Sequence, residues 1–199
     1  MRILSVEGVD YSGKSTLIKE LAKVFEEEDY EVVIQPFPSN DGHGALARKG
    51  LANGDPAYKV SHHLELNFKE KSEMLNELHG DDDNVVVLLD RYVATTRAHQ
   101  DHIIDISDVD FMIPDIQVLL TLDYHTMMRR HKERGDDWDK TETDKHRNRA
   151  AWEELNTRYE TACAELSDEY AIELMHCEGD EEKSTIAEDV YGLFEEMFD

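Results

Sequence analysis

Residues 6–16 read VEGVDYSGKST, with Gly8, Gly13, Lys14 and Ser15 at the spacing Gly-x4-Gly-Lys-Ser. Glycines so placed let the backbone turn its N–H groups inward around a phosphate, and a helix starting at once adds its positive end. Lys14 supplies a point charge for β- and γ-phosphates, and Ser15 a hydroxyl for Mg2+. Tyr11, Ser12 and Thr16 complete the cofactor-binding loop. This chemistry needs an acid near the metal ion. NVVVLLD, residues 84–90, supplies one, because Asp90 closes an apolar run of the kind that forms a central parallel strand.

Strands and helices must alternate to hold these groups. Apolar β-rich runs at 2–6, 31–35, 84–89, 116–122 and 171–176 predict five strands. Helical spacing predicts helices over 14–28, 44–51, 58–78, 124–134, 144–166 and 183–197. Strand following helix in this order predicts an α/β fold with a parallel sheet. The 199 residues suit one domain, with no internal repeat or linker. The basic segment 129–140 stands out from an acidic background as an excursion from that domain.

The stretch after Asp90 reads DRYVATTRAHQ. Here the chain resembles the thymidylate kinase family, whose loop has the form EG-hydrophobic-D-x-x-GKST, matched by Glu7 to Thr16. Asp90, Arg91, Tyr92, Thr95, Thr96, Ala98 and Gln100 fall on the family's second motif without a gap. PFPSNDGHGALARKGL, PDIQVLLTLD and RRHKERGDDWDKTE extend the resemblance, so that it spans residues 3 to about 185. It implies a three-layer α/β/α P-loop NTPase fold with a five-stranded parallel sheet and a lid near 130–143.

The resemblance also implies roles. Asp10 accepts from the 3′-hydroxyl of a deoxynucleotide, and Arg48 and Arg91 grip the acceptor's phosphate. Phe37 belongs to the acceptor site, and Thr96 and Gln100 face the base. Lys14, Ser15 and Asp90 serve ATP and Mg2+, and the lid closes through Arg130, Lys132, Arg134 or Lys140. Three positions depart from the family. Tyr11 stands where one subgroup carries a catalytic arginine, which moves that role to Arg134 or Arg130 of the lid. Leu64 and Phe68 align with a base-stacking phenylalanine and a base-reading arginine, so the site should discriminate bases less sharply. His99 replaces the aromatic residue that crowds the sugar 2′ position.

With 46 acidic and 21 basic residues the formal net charge is -25, which argues against a general nucleic-acid binder. The composition resembles that of proteins from salt-loving archaea or their viruses, where molar salt screens carboxylate repulsion. No apolar run approaches the ~20 residues that span a bilayer, so no membrane association is expected. MRILSVEG does not read as a signal peptide, so a cytoplasmic protein is expected, in the host cytoplasm if viral. Cys163 and Cys177 read as ordinary buried or half-buried thiols, Trp138 and Trp152 as packing residues, and His62, His63, His125 and His131 as no metal site. The family's homodimers imply a dimer here. The expected activity is phosphorylation of dTMP by Mg-ATP. Open alternatives are another deoxynucleoside monophosphate such as dGMP or dUMP, a deoxynucleoside, or a non-catalytic nucleotide-binding switch.

Overall fold

A computed structural model describes residues 1–100, 111–135 and 148–198, with the backbone alone at Gln100. Five strands are β1 (Arg2–Gly8), β2 (Glu31–Pro36), β3 (Val85–Asp90), β4 (Ile116–Thr121) and β5 (Glu173–Glu178). They form one parallel sheet in the order β2-β3-β1-β4-β5. The helices among the described residues are α1 (Lys14–Glu27), α2 (Gly42–Asn53), α3 (Ala57–His79), α4 (Val93–Gln100), α5 (Tyr124–Arg134), α6 (Arg149–Tyr170) and α7 (Lys183–Phe198).

The two-residue period of the strands divides the core into two layers. Leu4, Val6, Val86, Leu88, Val118 and Leu120 face one side, where Leu17, Leu21 and Phe25 of α1 meet Ile186, Val190 and Phe194 of α7. Both helices present apolar residues four apart, the spacing of one helical face. Ile3, Val85, Val87, Leu89 and Leu119 face the other side, against α3, α5 and α6 through Leu75, Met127, Leu155 and Tyr159. The result is the expected α/β/α layering.

The structure departs from the sequence reading in two main places. Residues 93–100 form a helix that was not expected. The long helix continues to Tyr170, and Ala171 ends it at φ 55, so β5 starts at Glu173 instead of 171. Residues 130–134, shared by the expected lid and the expected helix over 124–134, form the end of α5, which Gly135 closes at φ 69. The rest of the lid segment, with Trp138 and Lys140, lies outside the described residues, as do residues 144–147 of the expected fifth helix. Among the described residues no helix is long and apolar enough to cross a membrane.

Candidate active site

β1 is the sheet's central strand, and its C-terminal end feeds the glycine loop. Gly8 leaves the sheet at φ 134, and a Cβ there would collide with the Leu120 carbonyl of the adjacent strand. Only glycine accepts both conditions. The loop is tied to itself through the Val9 carbonyl, which accepts from Ser12 Oγ at 2.8 Å and from Lys14 Nζ at 2.6 Å. Gly13, at φ 98, opens α1, and its carbonyl accepts from Thr16 N at 3.0 Å and Leu17 N at 2.9 Å. Burial lowers the Lys14 ammonium to about 7; Arg91's charge adds to this, and Asp10, Asp90 and Glu7 oppose it. Such a lysine becomes a full cation when anions arrive.

Val6 and Asp90 are register partners on β1 and β3, which sets the acid beside the loop. Arg91 follows at φ 63, its N–H donating to the Val6 carbonyl at 3.0 Å. Its guanidinium forms an ion pair with Asp10 and donates to Tyr159 Oη at 2.9 Å and to the Gly8 carbonyl at 3.3 Å. Burial opposes this charge, but Tyr159, Asp10, Glu7 and Asp90 outweigh it and hold Arg91 above its ordinary value. Tyr159 Oη donates to Thr95 Oγ1 at 3.2 Å, and Thr95 Oγ1 donates to Glu7 Oε2 at 2.6 Å. A directed chain of hydrogen bonds therefore runs from Arg91 to a carboxyl buried beneath the loop. Burial pushes the Glu7 carboxyl up, and its Oε1 has no hydrogen-bond partner among the described residues.

Asp10, Tyr11, Gly13, Lys14, Ser15, Thr16, Asp90, Arg91 and Arg134 line one cleft of about 250 Å3. All nine are residues singled out from the sequence. Arg130 approaches from the same helix as Arg134 and donates to the Tyr11 carbonyl at 2.7 Å. Ser15 and Asp90 bring a hydroxyl and a carboxylate to this cleft. Hard oxygen donors in small number suit Mg2+, which keeps most of its shell for water and phosphate. Arg48 donates through Nε to the Pro38 carbonyl at 2.7 Å and feels the charges of Asp90 and Arg91; burial lowers its guanidinium.

The remaining candidates stand back from the cleft wall. Phe37, Leu64 and Phe68 are buried, and the Phe68 ring centroid lies 5.4 Å from that of Phe37 and 5.1 Å from that of Tyr92. Thr96 is buried on α4, and His99 Nε2 lies 3.2 Å from Tyr159 Oη. The Gln100 side chain lies outside the described residues. Trp152 is a packing residue, fully buried, its Nε1 donating to the Leu122 carbonyl at 2.7 Å.

Sequence reasoning missed Tyr159 and Asn67, and read His131 only as no metal ligand. Asn67 accepts from Ser39 N at 3.0 Å and donates to Ser39 Oγ at 2.8 Å, fixing the loop on which Arg48 rests. A polar residue between Leu64 and Phe68 on a buried helical face was the one available signal for it.

The family profile described as Thymidylate kinase matches residues 6–176. The chain belongs to the thymidylate kinase family. Within that family it is 33% identical over 156 residues to a probable thymidylate kinase of Thermococcus gammatolerans, covering 70% of this chain and 73% of the relative. It is 30% identical over 160 residues to the thymidylate kinase of Caldicellulosiruptor saccharolyticus, covering 72% and 75%. With that of Xanthomonas oryzae pv. oryzae it shares 28% over 147 residues, 67% of this chain and 62% of the relative. The matched span holds the glycine loop, the Asp90-Arg91-Tyr92 segment and α5.

Proposed function

We infer that the chain transfers the γ-phosphoryl group of Mg-ATP to dTMP, giving ADP and dTDP. One observation carries this reading beyond family membership. Donor groups (Lys14, Ser15, Asp90) and acceptor groups (Asp10, Arg91) line a single cleft with Arg134 beside them. An oxygen of the acceptor phosphate attacks the γ-phosphorus in line, and the β–γ bridging oxygen leaves. That acceptor oxygen is already ionised near neutral pH, so no general base is required. What the protein must supply is position and positive charge, which Lys14, Arg91 and Arg134 bring to one place. Ser15 and Asp90 would hold Mg2+, which would neutralise charge on the donor phosphates.

A second reading has its own support. Phe68, at the position aligned with a base-reading arginine, is enclosed by Phe37 and Tyr92 and offers the base no hydrogen bond. A wall without that donor tolerates several bases, so dGMP or dUMP are alternative acceptors. Exposed Leu46, Leu51 and Tyr58 on α2 and the start of α3 supply apolar surface for a homodimer.

The test is coupled ADP release in molar KCl with Mg-ATP, offering dTMP, dUMP, dGMP, dCMP, dAMP and thymidine in parallel. A strong preference for dTMP supports the first reading. Comparable rates with another monophosphate replace it with the second. No acceleration by any acceptor would leave a nucleotide-binding switch.

A further inference from the structure

Tyr11 sits in the glycine loop at φ 62, in the left-handed region where a bulky side chain is an outlier. Its neighbours Gly8 and Gly13 show the residue type that adopts such angles freely. A phenol kept in that conformation must contribute something a glycine would not. The contacts of Tyr11 show what. Its hydroxyl lies 3.1 Å from His131 Nδ1, and the two rings meet edge to face at 5.6 Å. The Arg134 guanidinium stands over its ring, 5.0 Å from the centroid. Its carbonyl accepts from Arg130 at 2.7 Å.

All three partners belong to one turn of α5, at positions i, i+1 and i+4. Backbone, hydroxyl and ring face of one loop residue therefore hold three successive points of one helix. Tyr11 is buried, 7% exposed, while Arg134 reaches the cleft beside it. Stacking on an aromatic face fixes a planar cation in orientation as well as place.

We propose that Tyr11 is a positioning residue that docks α5 onto the phosphate loop and presents Arg134 to the transferred phosphoryl group. The role assigned to Arg134 rests on the function proposed above; the docking itself does not. The ring orients Arg134, and the hydroxyl, through His131, sets the depth of the helix. Loop and helix thus move as one unit. A ring lost from Tyr11 leaves Arg134 present and charged but free to sample orientations that miss the cleft.

The test uses Tyr11→Leu, which keeps the backbone cost of φ 62 and removes the phenol, with Tyr11→Phe, Arg134→Ala and the Leu/Ala double variant. Amide exchange of α5 is read first, in the nucleotide-free protein. Steady-state kinetics follow with Mg-ATP and dTMP. In Tyr11→Leu, exchange in the last turn of α5 rises while α1 is unchanged. Its kcat falls about tenfold to a hundredfold with KM for dTMP held within about threefold. Tyr11→Phe falls between it and the parent. In the Arg134→Ala background, Tyr11→Leu adds less than about threefold, because both changes remove one arrangement. Unchanged exchange in α5, or a Tyr11→Leu loss that multiplies fully with that of Arg134→Ala, overturns the proposal. A parent protein that does not phosphorylate dTMP, with exchange in α5 still raised by Tyr11→Leu, upholds the docking and overturns the substrate reading instead.

Discussion

Arg91 at the end of β3 donates to the hydroxyl of Tyr159 on α6 at 2.9 Å, joining the edge of the cleft to the helix layer beneath it. Through Thr95 the same hydroxyl leads to Glu7. Tyr159→Phe keeps the ring and removes the link. We expect a stability loss of about 1–2 kcal/mol, since Arg91 and Thr95 each lose a buried partner. kcat/KM for dTMP is expected to fall about tenfold as Arg91 loses its anchor. Urea unfolding and steady-state kinetics on one preparation check both; a variant matching the parent in both would remove the link from the account.

On the role proposed for Lys14, nucleotide binding should be coupled to proton uptake. Its ammonium is lowered to about 7 from 10.5, so between those values the unfolded chain binds more protons than the folded one. The contribution of Lys14 to stability is therefore least favourable below pH 7 and improves as pH rises toward 10.5. Bound phosphates attract the proton back. Calorimetric titration of Mg-ADP near pH 8, in two buffers with different ionisation heats, should show proton uptake, and affinity should weaken as pH climbs further. Lys14→Met should abolish the uptake. Binding heats independent of the buffer would contradict this.

Glu7 carries the opposite sign. Burial raises its carboxyl above 4.5, so the folded state holds that proton more tightly than the unfolded state. Its contribution is fully present below the unfolded value and is lost as pH rises through the folded one. Glu7→Gln keeps an acceptor for Thr95 and removes the titration. The variant should gain on the parent as pH rises from about 4 to about 8, with the difference smallest at the acid end. Urea midpoints at the two ends measure it, and a difference independent of pH would count against a buried, titrating Glu7.

A net charge of -25 on 199 residues ties stability to salt. Raising KCl from ~0.1 M to ~2 M shortens the screening length several-fold and weakens carboxylate repulsion in the folded state. The urea midpoint should rise over that range. A flat or falling midpoint would leave the acidic surface without a role in salt tolerance.

The parts of this site that were legible in the sequence are local in chain order. Gly8, Gly13, Lys14 and Ser15 follow each other in one loop, and Asp90 ends an unbroken apolar run. Their meeting requires only that β1 and β3 be neighbours, as they are. Tyr159 had no such signature. It lies on the same helical stripe as Trp152, Leu155, Ala162 and Leu166, and reads as core because most of its ring is core. His131 is likewise one basic residue among several on α5, distinguished only by the loop it faces. Helix α4 was missed because eight residues including adjacent threonines have little helical preference of their own; packing against α6 stabilises it. The start of β5 was misplaced because Ala171 takes a left-handed angle that glycine would have announced.

The ion pair between Asp10 and Arg91 joins the two groups assigned to opposite ends of the acceptor. On the proposed roles, a deoxynucleoside monophosphate replaces both partners at once, offering its phosphate to Arg91 and its 3′-hydroxyl to Asp10. A fragment can replace only one. Inorganic phosphate would take Arg91 from Asp10 without offering Asp10 a hydroxyl, whereas thymidine would engage Asp10 without offering Arg91 a phosphate. Either exchange breaks the ion pair and returns only one of the two contacts that the whole substrate offers. The resting contact thus acts as a two-key lock, and phosphate or thymidine supplied alone should be a poor competitor.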